Sequence, residues 1–304
     1  MTIGTGYVDP AYLDAAARLA EGGKRLSYER MRLTPGEAAL DVGCGPGTDT
    51  LHLAALVGPA GRVVGVDRDP EMIAEANRRA AAEGMDGFVD HQLADAAALP
   101  FADGSFDGVR SERLLLHVGD PGRVLAEMVR VTRTDGYVVV MDTDWGTRSV
   151  DSPEVDLERR FARVLAETCL VNGYSGRRLL GLARRAGLVE LRVDPVPLVI
   201  TDYGFFSLLS RMEMAADAAL RTGALTAAEL ARLDETWRAM DDAGDFFALT
   251  TMVMVTGRKP PPSNPAPERD TSATQGVIGH TADGDETAVE AAGREGIRIS
   301  GREA

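Results

Sequence analysis

Residues 39–47 constrain the fold of this chain more than any other stretch. The apolar run that opens it leads into three alternate glycines, Gly43, Gly45 and Gly47, and a helix-forming segment follows at once. Glycine at this spacing lets the backbone turn sharply and lie in van der Waals contact with a ligand. The following helix presents unpaired N–H groups to whatever occupies the turn. The pattern therefore predicts a strand, a ligand-binding loop and a helix.

A second apolar run, residues 62–66, ends in Asp67. A carboxylate at the tip of a strand suits a ribose, because it accepts hydrogen bonds from both hydroxyls. Asp41 precedes the glycines and would repel a pyrophosphate, but it suits a cationic amino-acid group. The glycine spacing also differs from the Gly-x-Gly-x-x-Gly of dinucleotide sites. These features predict a nucleoside cofactor that carries an amino-acid moiety.

The run 39–47, taken with Asp67, resembles the first two motifs of the class I S-adenosylmethionine-dependent methyltransferases. Asp95 and Ala96 match the Asp-Ala pair of that family. Leu115-Leu116-His117-Val118 is similar to the Leu-His-His-Val of methyltransferases in ubiquinone and menaquinone biosynthesis.

The resemblance covers roughly residues 36–143 and fades beyond them. It departs from the family at Thr134-Asp135-Gly136, where a Pro-Gly-Gly turn is usual. The resemblance implies that S-adenosyl-L-methionine is the cofactor and that Asp95 accepts from the adenine amino group. The residues expected to bind the cofactor are Asp41, Gly43, Gly45, Gly47, Asp67, Arg68, Asp95, Ala96 and Ser111.

Strands and helices alternate along the middle of the chain. Strands are predicted at 38–43, 62–67, 88–93, 106–111 and 136–142, and helices at 47–57, 70–83 and 121–132. Continuous apolar strands in such an alternation indicate a parallel sheet that is covered on both faces. We therefore expect an α/β fold with a doubly wound, Rossmann-like, seven-stranded, mostly parallel sheet.

The regions outside this alternation complete the predicted domain organisation. We expect an N-terminal helical segment at 1–35, a methyltransferase domain at 36–259 with a helical lid insertion at 203–242, and a disordered tail at 260–304. The predicted helices of the first and last parts are 11–21, 27–33, 153–171, 175–187, 203–221 and 226–242, with extended segments at 188–200 and 246–256. The tail has almost no large apolar residues, so its burial would not offset the entropy lost on ordering.

Composition narrows the possible partners. The net charge is −14 and the isoelectric point is about 4.8, which argues against a nucleic-acid partner because phosphate binding needs clustered Lys and Arg. Two cysteines provide no disulfide framework. No run reaches the length of a membrane span, and no signal pattern opens the chain. We expect a cytoplasmic protein with a small-molecule partner, and the oligomeric state stays open.

Four residues are candidates for the chemistry. His117 follows the fourth strand, where ligands gather in an open α/β sheet, and is the candidate general base. Asp144 and Trp145 follow the fifth strand as a candidate catalytic carboxylate and an aromatic surface for an acceptor. Phe206 lies on the predicted lid and is a candidate substrate contact. Each also has a structural interpretation, as a cap, a loop residue or core, and no metal site is expected.

Three functions fit the sequence. The first is methylation of a small, apolar or aromatic metabolite at oxygen, carbon or nitrogen. The second is methylation of nucleic acid or protein, which the acidic composition disfavours; Ser111-Glu112-Arg113-Leu114 also stands where base-modifying enzymes carry Asn-Pro-Pro-Tyr. The third is a cofactor-binding regulator or a repurposed fold, such as a cyclase.

Overall fold

A single seven-stranded sheet organises the part of the chain that the computed structural model describes, residues 17–262. Its strands are β1 (Ala38–Val42), β2 (Arg62–Asp67), β3 (Val89–Leu93), β4 (Phe106–Glu112), β5 (Thr132–Val150), β6 (Val189–Ile200) and β7 (Ala248–Arg258). They lie in the order β3-β2-β1-β4-β5-β7-β6.

The first five strands pair in parallel, and β7 is antiparallel to both β5 and β6. From β1 the chain adds β2 and β3 on one side of the sheet and then β4 and β5 on the other. The strands β1 and β4 therefore flank a topological switch point. This arrangement confirms the predicted mostly parallel, doubly wound sheet. β6 lies at the edge, where Pro195 and Pro197 are tolerated.

Helices cover both faces of the sheet because its strands are apolar on both sides. The helices α1 (Glu21–Met31), α2 (Thr48–Val57) and α3 (Pro70–Ala82) pack on one face. The helices α4 (Pro121–Val131) and α6 (Ser175–Arg185) pack on the other. Neighbouring residues of β1 illustrate the division, since Ala39 joins the first core and Leu40 the second.

We call a separate group of helices the cap. It comprises residues 151–174, which follow β5, and residues 201–247, which connect β6 to β7. It contains α5 (Val155–Val164) with the π-turn Leu165–Cys169, and α7 (Tyr203–Leu209), α8 (Met212–Thr222) and α9 (Ala227–Ala243). Its core is aromatic, with rings of Phe161, Tyr203, Phe206, Trp237 and Phe246 in mutual contact. A helical insertion was predicted between β6 and β7, but the contribution of α5 was not.

Two predicted helices are interrupted in the structure. The helix predicted at 153–171 becomes α5 and a π-turn, and the one predicted at 203–221 breaks into α7 and α8. The second break falls at Arg211, whose φ of 49° is left-handed. The apolar spacing is continuous through both breaks, so periodicity alone did not reveal them.

The N-terminal prediction of a break between residues 21 and 27 was wrong. A single helix, α1, runs through Gly22 and Gly23. Gly23 lies in the helix because α1 packs closely on β6: a Cβ there would be 2.7 Å from Val196 Cγ1. Most of the predicted helix 11–21 lies outside the described residues, as does the predicted disordered tail from Ser263 onward.

The predicted fifth strand, 136–142, was too short. In the structure β5 extends to Val150 because β7 pairs with it as far as Ala248, with a register shift between Asp144 and Ser149. The extended part of β5 leads directly into the cap. Within residues 17–262 no helix is long and apolar enough to cross a membrane.

Replacing Phe206 with Ala should destabilise the cap. The ring is 2% exposed and contacts three other aromatic rings, so Phe206→Ala should lower the free energy of unfolding by about 3–5 kcal/mol in urea denaturation. Leu208→Ala on the same helix is the matched control, since that side chain is 53% exposed. A loss no larger than the control's would place Phe206 outside the core.

Candidate functional site

The three glycines after β1 all adopt left-handed backbone conformations. Gly43, Gly45 and Gly47 have φ values of 77°, 53° and 79°, which L-residues with a Cβ rarely adopt. Space is also restricted at Gly47, where a Cβ would lie 2.9 Å from Ala76 Cβ and 3.0 Å from His91 Nε2. Backbone conformation and packing therefore both require glycine in this loop.

Asp67 ties the glycine loop to the end of β2. Its Oδ2 accepts from the Gly45 N–H at 3.0 Å, and its Oδ1 accepts from the Asp69 N–H at 3.0 Å. A carboxylate has about four lone-pair positions, so acceptor capacity remains on both oxygens. The exposed Arg68 follows directly. This placement is compatible with the predicted bonds from Asp67 to ribose hydroxyls, which stay a prediction.

The residues at the end of β3 form a surface next to the end of β2. Asp95 is exposed, and its Oδ1 accepts from the Ala97 N–H at 2.9 Å, while Ala96 between them is half-buried. Leu93, the last residue of β3, is 60% exposed. Leu93 was not among the predicted site residues, although it stands two positions before Asp95 in the sequence. Its side chain provides apolar surface beside the residues predicted to hold adenine.

A network of buried charges lies beneath the glycine loop. Arg110 on β4 bonds through Nη1 to Asp49 Oδ2 at 2.9 Å and to Asp41 Oδ1 at 3.2 Å, and through Nη2 to Glu112 Oε2 at 3.0 Å. Lys24 Nζ on α1 bonds to Asp49 at 2.8 Å and to Glu112 at 2.7 Å. Of these five residues only Asp41 was predicted; the one visible signal was Arg110, a charged residue that follows Val109 within the predicted fourth strand.

Two atoms of this network have no hydrogen-bond partner among the described residues, Asp41 Oδ2 and Arg110 Nε. Burial raises the pKa of Asp41 to about 7, and the charge of Arg110 opposes that rise. The unpartnered oxygen is an acceptor and the unpartnered N–H is a donor. Asp41 is 1% exposed, and its predicted contact with a cationic amine stays a prediction.

The candidate base, His117, lies in the short 3₁₀ turn Leu115–His117 after β4. Two side chains hold this turn. Asp142 Oδ2 accepts from the Leu116 N–H at 2.8 Å, and the Asn172 amide donates to the Leu115 carbonyl at 3.1 Å. Ser111, at the end of β4, is buried between the neighbouring strands.

Positive charges surround His117. Desolvation lowers the pKa of the His117 imidazole to about 4, and the charges of Arg68, Arg113 and Arg211 act in the same direction. The residue is nevertheless exposed at the surface. It is therefore neutral at physiological pH and can accept a proton, although a base of such low pKa is weak.

The other three predicted residues lie on β5 and in the cap. Asp144 is buried and held by two contacts, with Arg177 Nε at 2.5 Å and the Gly146 N–H at 3.1 Å. Trp145 is half-buried against the cap core, and Phe206 lies within that core. The structure thus brings Trp145 and Phe206 into one apolar cluster, while His117 approaches the cap at Arg211.

Comparison with known proteins agrees with this geometry. The sequence model of a family described as "Methyltransferase domain" matches residues 33–179. The chain is 36% identical to a 37.1 kDa protein in transposon TN4556 of Streptomyces fradiae, over 83% of this chain and 71% of that protein. It is 38% identical to a demethylmenaquinone methyltransferase of Halalkalibacterium halodurans, over 56% of this chain and 74% of that enzyme.

The chain belongs to the class I S-adenosylmethionine-dependent methyltransferases. Its fold matches geranyl diphosphate C-methyltransferase from Streptomyces coelicolor A3(2), solved with S-adenosyl-L-homocysteine, with a TM-score of 0.52 and 18% identity over 84% of this chain and 83% of that one. Three further methyltransferases match over only 43–53% of their own length. The cofactor of the methyltransferase is S-adenosylmethionine.

Replacing Asp67 should weaken cofactor binding by this methyltransferase. Asp67→Ala removes an acceptor from the Gly45 N–H and the predicted acceptor of the ribose, and charge-assisted bonds of this kind contribute about 1.5–3 kcal/mol. Calorimetric titration with S-adenosylmethionine should show affinity reduced by about tenfold or more. Asp90→Ala on the exposed side of β3 makes the same change in charge and should bind normally. Unchanged affinity in Asp67→Ala would remove Asp67 from the cofactor site.

The buried network should be sensitive to loss of one cation. Lys24→Met leaves Asp49 and Glu112 undercompensated in the interior, and breaking a buried pair in this way costs about 3–5 kcal/mol. Arg232→Met, which removes an exposed pair with Glu154, should cost at most about 1 kcal/mol. Urea denaturation of both variants measures the difference, and equal losses would show that the network contributes no more than a surface pair.

Proposed function

We propose that this methyltransferase transfers the methyl group of S-adenosylmethionine to a small, apolar or aromatic acceptor bound between the ends of β4 and β5 and the cap. The observation that carries the proposal is the position of the candidate residues around the switch point. The glycine loop follows β1, His117 follows β4, and Trp145 lies within β5, where its pairing with β7 shifts register. Cofactor and acceptor would then share one crevice.

The chain's own residues mainly bind and orient in this proposal. The bound cofactor supplies a methyl group already activated by its sulfonium. Asp67 and the glycine loop would fix one reactant, and Trp145 would provide an aromatic surface for the other. The aromatic core of the cap would exclude water above the reacting atoms.

His117 and Asp144 have different prospects as catalytic groups. His117 is neutral and would accept a proton from an acceptor hydroxyl or carbon. Asp144 is held by Arg177 and the Gly146 N–H, so its contribution would be to orient the end of β5 beside the acceptor. The name of the relative in H. halodurans, a demethylmenaquinone methyltransferase, supports a small-molecule acceptor.

The alternatives make different predictions. A net charge of −14 disfavours nucleic acid as the acceptor. A cofactor-binding regulator or a cyclase would bind S-adenosylmethionine without consuming it. A turnover assay with a labelled methyl group and a panel of phenols, aromatic acids and quinols tests the proposal by mass spectrometry of the product. Cofactor binding with no methylated product across the panel would favour the regulator or cyclase.

The pH dependence of turnover tests the role of His117. Because its pKa is lowered to about 4, the imidazole stays in its basic form as pH falls through 6.5, and activity should fall only as pH approaches about 4. His117→Ala should lower kcat by ~100-fold or more if the imidazole takes the proton, and cofactor affinity should not change. His52→Ala on the exposed side of α2 is the control. A small loss of kcat, or a profile that His117→Ala leaves unaltered, would assign His117 to packing.

A further inference from the structure

Arg148, near the end of β5, is a buried guanidinium that lacks hydrogen bonds. Its side chain is in the cap and the residue is 1% exposed. Nε, Nη1 and Nη2 all lie buried without a hydrogen-bond partner among the described residues. Burying a charged group without partners is among the most unfavourable arrangements in a protein. A buried guanidinium without acceptors therefore indicates either an energetically unfavourable arrangement or a binding site for an external ligand.

The surroundings of Arg148 are apolar on two sides. The guanidinium carbon lies 5.1 Å from the centre of the Phe161 ring and 5.5 Å from that of Phe206. The charge of Glu158 acts on Arg148, but Glu158 makes no hydrogen bond to it: its oxygens bond to the Val150 N–H at 3.1 Å and to Arg159 Nε at 3.0 Å. Burial lowers the pKa of Arg148 to about 10, and the Glu158 charge opposes that effect. Arg148 is thus charged at neutral pH.

A second unpartnered donor lies on the same irregular segment of β5. The Trp145 indole Nε1 is buried with no hydrogen-bond partner among residues 17–262. Both residues fall between Asp144 and Ser149, where the pairing of β5 with β7 shifts register. An arginine and an indole offer donors only. The irregular segment of β5 therefore holds two side chains whose buried N–H groups have no acceptor among the described residues.

Further positive charge lies around this part of the molecule. The charges of Arg148, Arg211 and Arg221 act on the Cys169 thiol, and Arg211 also acts on His117. Arg211 has a left-handed backbone conformation, with φ of 49°, and Arg113, with φ of 52°, pairs with Glu112 Oε1 at 3.1 Å. In a chain of net charge −14, this clustering favours an anion.

We propose that the acceptor carries an anionic oxygen group, a carboxylate or a phosphate, that binds the guanidinium of Arg148. The inference rests on the proposed function and names the chemical class of its acceptor. Carboxylate and phosphate oxygens match the planar donors of arginine and supply the acceptors that Arg148 and Trp145 lack. The glycine loop lies two strands away from β5 in the sheet, so the group belongs to the acceptor and not to the cofactor.

Because Arg148 is buried against Phe161 of α5 and Phe206 of α7, the anion would reach it only when the cap opens between these helices. Binding would then place the ring of an aromatic acceptor against Trp145 and its charged group under the cap. The buried charge would destabilise the free protein and gain its partner only in the complex.

Titration with matched aromatic probes tests the proposal. The full-length methyltransferase, saturated with S-adenosylhomocysteine, is titrated by calorimetry with benzoate, phenyl phosphate and the neutral benzamide. Because a hydrogen-bonded charge pair strengthens binding by about tenfold or more, at least one anion should bind that much more tightly than benzamide. The two anions distinguish a carboxylate site from a phosphate site.

The variant Arg148→Met should abolish the preference for the anion and leave the affinity for S-adenosylhomocysteine unchanged. Arg163→Met is the matched control, since it removes an exposed arginine from α5, the helix that carries Phe161. The ligand-free Arg148→Met protein should melt at the wild-type temperature or above, because the variant removes an unpaired buried charge.

Three results would overturn the proposal: no preference of the wild type for either anion, the same loss in Arg163→Met, or failure of Arg148→Met to fold. Normal binding of S-adenosylhomocysteine with no anion preference would overturn this inference alone. Failure to bind S-adenosylhomocysteine would overturn the proposed function as well.

Discussion

Two buried cations, Lys24 and Arg110, hold three carboxylates together beneath the glycine loop, and the cofactor side of the molecule depends on this arrangement. Each of these charges would be strongly unfavourable alone in the interior, and they are tolerated because they are paired. The network joins α1 to β4 and to the start of α2. It therefore ties these three elements together beneath the glycine loop, while Asp67 accepts a hydrogen bond from the Gly45 N–H within the loop.

The two sides of the switch point have opposite electrostatic character. Carboxylates dominate beneath the glycine loop, where an ammonium is expected. Near His117, desolvation lowers the pKa of the imidazole, and the charges of Arg68, Arg113 and Arg211 act in the same direction. A weak base beside several guanidinium groups suits an acceptor that is already ionised or readily ionised. The low pKa of His117 and the unpartnered guanidinium of Arg148 are thus both compatible with an anionic acceptor.

Much of the fold could be predicted because it depends on local patterns. The alternation of apolar strands and helices indicated a doubly wound sheet. Two of the wrong boundaries share a physical cause, since each depends on a contact with a strand distant in sequence. Gly23 lies inside α1 because Val196 of β6 approaches it, and β5 runs on to Val150 because β7 pairs with it.

The sequence by itself determined the glycine loop and the acid at the tip of β2, because backbone conformation and strand ends are encoded within a few residues. Only the tertiary structure decided which charges are buried and which have partners. Lys24 and Glu112 are 88 residues apart in the chain and 2.7 Å apart in the fold, and nothing near Arg148 in the sequence shows that it lacks an acceptor. Burial and pairing arise when distant segments pack together, so they exist only once the chain has folded.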